Sequence, residues 1–112
     1  MAFDDTWDSF TAHFREGLEV LVANTFDDFT AQAQEDARAF MIRSEAQLKR
    51  WGEAWAKGLL SEEEFDSLVT GQASLARLHM LTAAGLAQTR LERFRKGLLA
   101  LVTGSMRRAL GV

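Results

Sequence analysis

Two histidines, His13 and His79, and carboxylate runs such as those at residues 4–5, 27–28 and 62–64 are side chains here whose types could do chemistry. A di-iron centre in a helical bundle needs inward glutamates, with a glutamate three residues ahead of a histidine so that both ligands share one helix face. Phe10 stands three residues before His13, and Ala76 three before His79, so that spacing fails. His79 reads instead as a packed or hydrogen-bonded residue at a helix contact. Catalysis by paired carboxylates needs a cleft and perturbed ionisation. Neighbouring acids at a helix start point to different sides and are ordinarily solvated caps. The chain has no cysteine, which removes thiol nucleophiles, thiolate ligands and disulfides. Its serines and threonines lack a His/Asp partner set, and no glycine-rich phosphate loop follows a strand. The expectation is a non-enzyme with no catalytic residue, no metal ligand and no cofactor.

The other chemically suggestive stretch is RFRKGLLALVTGSMRRALGV at the C-terminal end. Arg93, Arg95, Lys96, Arg107 and Arg108 surround Phe94, Leu98, Leu101, Val102 and Leu110. Basic residues beside an apolar stripe suit an anionic membrane surface or a partner groove. A simpler reading sets these bases against an acidic N-terminal arm and their apolar neighbours against Phe10, Phe14, Leu18 and Leu21. Arg107 and Arg108 also complement the negative end of a helix dipole. Nucleic acid is an unlikely partner: the net charge is -3, and no aromatic residues interleave with bases.

The elements that must carry these residues follow from periodicity. Trp7, Leu18, Phe29, Phe40 and Trp51 are eleven residues apart, as are Val22, Ala33, Ser44 and Trp55. In the second half, Phe65, Ala76, Ala87, Leu98 and Ala109 form one such series, and Val69, Met80, Leu91 and Val102 another. Eleven residues in three turns is about 3.67 per turn, close to the natural helix period. That periodicity resembles the surface-bound amphipathic helices of lipid-particle proteins, in period and not in motif. There is no proline to break a helix. The pattern predicts an all-α fold: one domain over residues 1–112, built as a long antiparallel hairpin with helices over about 4–57 and 62–110. Asn24 or Thr25 could cap a new helix, but the series runs in phase from Trp7 to Trp51 and favours an unbroken one.

The turn is written in KGLLSEEEF, residues 57–65. Gly58 suits the left-handed position just past a helix C-terminus. Ser61 can cap the next helix and Glu64 can complete a capping box, with Leu60 and Phe65 spaced as a hydrophobic staple. The stretch resembles the glycine, two apolar, Ser/Thr, acidic, aromatic pattern of the short oligomerisation modules called SHOCT domains, a likeness confined to these nine residues. Charge supports the same fold. Residues 1–36 carry a net -8 and residues 77–112 a net +6; residues 37–60 carry +3 and residues 61–76 carry -4. Folding at 58–61 sets every acidic block against a basic one, with residue i facing roughly residue 119 minus i.

Two rods bury only the stripe between them, and the apolar surface is wider than one stripe. Leu68, Leu75, Leu78, Leu81 and Leu86 lie off the Val69, Met80, Leu91 line, and a helix apolar on most sides is buried on most sides. Ala73, Ala76, Ala83, Ala84, Gly85 and Ala87 would allow close helix approach. Self-association of two hairpins into a four-helix bundle is the simplest remedy, a dimer being favoured over a tetramer or larger ring, with a hetero-complex or a monomer folded back as three helices as the other options. The expected core and interface residues are Trp7, Phe14, Leu18, Phe29, Phe40, Trp51, Trp55, Phe65, Val69, Leu75, Met80, Leu91, Phe94, Leu98 and Val102. The expected function is that of a structural or interaction protein, a scaffold, adaptor or assembly subunit, with a lipid- or granule-surface protein as the alternative. An acidic N-terminus where a secretory signal starts basic, and the lack of a run of roughly 20 apolar residues, suggest a cytoplasmic protein.

Overall fold

The apolar series that predicts two long helices does make helix, but the first arm is broken once and the second twice among the described residues. The computed structural model describes residues 3–72 and 77–111. Five helices follow in order: α1 (Asp4–Thr25), α2 (Thr30–Ala56), α3 (Glu62–Gly71), α4 (His79–Ala83) and α5 (Gln88–Leu110). No strand occurs among the described residues, so the all-α architecture holds. The reversal at 57–61 also stands where the glycine and capping signals place it.

The helix expected over 4–57 is interrupted at residues 26–29; of the one expected over 62–110, α3 ends at Gly71, α4 begins only at His79, and a further interruption lies at 84–87. On the first arm the backbone turns extended at Phe26 and left-handed at Phe29 (φ 64°). Neither Asn24 nor Thr25 caps the new helix: both belong to α1, and no side chain caps α2. On the second arm Gly85 (φ 85°) ends α4 with two reversed bonds, Leu86 N–H to Leu81 O and Gly85 N–H to Thr82 O. That is the Schellman arrangement, which favours glycine because its left-handed residue carries no Cβ. Gly85 thus stops a helix here, rather than easing a close helix approach. Ala73, Leu75 and Ala76 lie outside the described residues.

These interruptions double the hairpin over on itself. Along each pair of arms the expected register survives. The ring of Phe26 meets Phe94 at 5.3 Å and that of Trp55 meets Phe65 at 5.0 Å. Leu101 packs against the bare backbone of Gly17, and Leu21 against Gly97. A second set of contacts crosses the fold: Thr103 donates to Asp66 at 2.8 Å, Arg107 pairs with Glu62 at 3.1 Å, and Met106 packs on Gly52. Straight arms of about 50 residues would run about 75 Å. The molecule measures 44 × 23 × 20 Å. One layer is α1 with α5, the other α2 with α3 and α4, so one chain forms a two-layered bundle by itself.

The main core lies between the layers. Phe10, Phe14, Leu98, Leu99, Val102 and Met106 from one pack with Ala37, Phe40, Leu48, Phe65 and Val69 from the other. A second cluster wraps the fold line and holds Val22, Phe26, Leu81, Leu91 and Phe94. Most expected core residues are buried here. Trp7, Leu18, Trp51 and Trp55 are half-buried against the main core. Met80 departs from expectation at 47% exposed, because α4 turns Leu81 inward in its place. Phe29 is half-buried at the bend, packed against the second cluster.

Candidate functional site

The turn at 57–61 is built by local chemistry alone. Gly58 sits at φ 77°, Leu59 N–H bonds to Ala54 O at 2.8 Å, and Gly58 N–H bonds to Trp55 O at 3.0 Å. These reversed bonds satisfy the last carbonyls of α2. Ser61 then opens α3. Its Oγ accepts from the Glu64 N–H at 3.1 Å, and its own N–H donates to Glu64 Oε1 at 2.8 Å. The capping box read from the sequence is complete. Beside it Leu59 is 72% exposed, and Leu60 and Leu68 line a shallow groove with Glu63, Glu64 and Ser67.

The carboxylate that matters most to the architecture is one the sequence reading passed over. Asp36 is 2% exposed, and its two oxygens accept from the N–H groups of Met80 at 2.9 Å and Leu81 at 3.0 Å. The orphan donors of the α4 start are thereby satisfied by a side chain 44 residues away. A signal existed: Asp36 stands within the apolar stripe of α2, beside Ala33, Ala37 and Phe40. An acid on a buried stripe is there for a partner.

The basic residues of α5 are placed differently from one another. Arg95 pairs with Glu92 on its own helix, and Arg107 with Glu62 of α3. Arg93, Lys96 and Arg108 are exposed and make no ion pair among the described residues. Although α5 lies along the acidic α1, the ion pairs of Arg95 and Arg107 go elsewhere. Phe94, Leu98 and Val102, the apolar partners of these bases, face the core and not the surface. The bundle as folded therefore presents cations without an adjoining apolar face.

The histidines and acid runs are dispersed. His79 begins α4 exposed, not packed at a helix contact, and His13 is half-buried on α1. The carboxylates of 4–5 and 62–64 lie in the first turns of α1 and α3, where they complement the helix dipole. No group of three His, Asp or Glu residues is placed to hold a metal among the described residues. A cleft of about 390 Å³ opens between α1 and α2, floored by Phe14, Leu18 and Met41 and rimmed by Arg15, Glu19 and Arg38. No helix among the described residues is long and apolar enough to cross a membrane. Compared with protein families, curated proteins and solved structures, the chain matches none.

Proposed function

We propose that this chain is a non-enzymatic structural or interaction protein that acts by assembling with copies of itself, as a scaffold, adaptor or assembly subunit. The observation that carries this reading is the doubled hairpin. One half of the hairpin packs on the other through the apolar residues of the main core, with polar pairs at its rim. A surface that fits another part of the same chain also fits that part on a second copy, and two-fold symmetry closes such a contact. Light scattering after size exclusion, over a range of concentrations, is the test. A dimer whose fraction rises with concentration is expected; a monomer throughout removes the reading.

A second reading, binding to an anionic lipid surface, is favoured by the exposed and unpaired Arg93, Lys96 and Arg108. Such binding needs the bundle to open, because an interfacial helix lays its apolar face into the lipid. Co-sedimentation with anionic vesicles at low salt tests it, and absence of binding ends it.

A further inference from the structure

We infer that two copies of this chain assemble by exchanging halves: each doubled hairpin straightens at its two bends, and the half carrying α1 and α5 packs onto the α2 and α3 half of the partner. The inference rests on the self-assembly proposed above and names its route.

The contacts of the bundle fall into two sets that straightening treats differently. One set runs along the hairpin: Phe26 with Phe94, Trp55 with Phe65, Leu101 on Gly17, and Asp36 with the start of α4. These join the arms to each other and survive when the arms are straight. The other set crosses the fold: Thr103 with Asp66, Arg107 with Glu62, Met106 on Gly52, and Lys49 over the Trp7 ring at 5.3 Å. This set is lost on opening, together with the main core between the layers. Two straight hairpins laid antiparallel place the α1 and α5 half of each against the α2 and α3 half of the other. The second set can then re-form between chains, with the main core rebuilt from the same residues.

The bends themselves favour such an exchange. In the hairpin register residue 28 stands opposite residue 91, so the bends at 26–29 and 84–87 lie within about two helical turns of each other and the halves can hinge together. The eleven-residue series carries its phase through the first bend: Leu18, Phe29 and Phe40 would share one face of a continuous helix. That bend holds neither glycine nor proline, and it keeps Phe29, a bulky residue, in the left-handed region at φ 64°. A straight helix releases that strain. Strained short connections between halves that fit equally well within or between chains are the setting in which exchange occurs. The exchanged dimer would be about 75 Å long, against 44 Å for the closed chain.

The absence of native cysteine makes the test direct. Glu62→Cys with Arg107→Cys places thiols at an exposed pair that crosses the fold, to be joined by a short bismaleimide in the dimer fraction from size exclusion. Exchange predicts a covalent dimer on a denaturing gel. Linkage within single chains of that fraction overturns the exchange and leaves self-assembly standing. No dimer fraction at any concentration overturns both. As a second measurement, Asp27→Ala, Asp28→Ala and Gly85→Ala together favour helix through both bends. They should raise the dimer fraction at fixed concentration by at least about tenfold; an unchanged fraction overturns the role given to the bends.

Discussion

The chain reverses direction at 57–61 and again at 26–29, and the two reversals are held by different means. At the first, Gly58, Ser61 and Glu64 satisfy the backbone of both helix ends within a few residues. At the second, no side chain caps α2 and a phenylalanine occupies the left-handed position. What holds the second is distant: the main core packed between the two layers, with Thr103 on Asp66, Arg107 with Glu62 and Met106 on Gly52 across the fold. A connection that carries its own caps keeps its shape when its surroundings change. One held by remote packing lasts only as long as that packing does, and this difference separates a fixed turn from a hinge.

Substitutions can break or sharpen this contrast. The largest effect is expected at the hinge: Phe26→Ala should destabilise the fold by about 3–5 kcal/mol in urea unfolding, since a buried ring is lost from the cluster at the fold line. A loss below about 1 kcal/mol would mean that this cluster adds little to the fold. Asp36→Ala comes next, at about 2–3 kcal/mol, because it strands the N–H groups of Met80 and Leu81. Hydrogen exchange at those two amides should quicken even if global unfolding shifts less. At the self-capped turn the effects are smaller. Gly58→Ala should cost about 1–2 kcal/mol; beyond the chain neighbours nothing lies within 4 Å of an added Cβ, so the cost is backbone strain. Ser61→Ala should cost about 1 kcal/mol by thermal or urea melts, with faster exchange confined to the first turn of α3. Least of all, Leu59→Ala should change stability by no more than about 0.5 kcal/mol, since the side chain is already in water. A larger loss there would point to a partner covering it.

Much of the architecture was legible in the residues. The capping signals at 58–64 located the turn, and so short a turn sets the arms antiparallel in a register that Phe26 with Phe94, and Leu101 on Gly17, obey. Gly85 was legible too, as the helix stop in LTAAGLA, but its alanine neighbours suggested a packing stripe instead. The bend at 26–29 left a faint mark, the possible caps Asn24 and Thr25, which the in-phase apolar series outweighed. Asp36 left only a weak one, an acid out of place on an apolar stripe.

Helix content, the position of the turn and the pairing of the arms were determined by the sequence itself, because caps, periodicity and charge blocks act over a few turns or along a hairpin with a short loop. Only the tertiary structure decided that the arms bend, that Asp36 reaches across to α4, and that the broad apolar surface finds its cover within one chain. The physical reason is that an apolar stripe running in phase is buried equally well by a straight partner and by its own far half. The choice between them rests on packing summed over both layers, not on any residue near the bend.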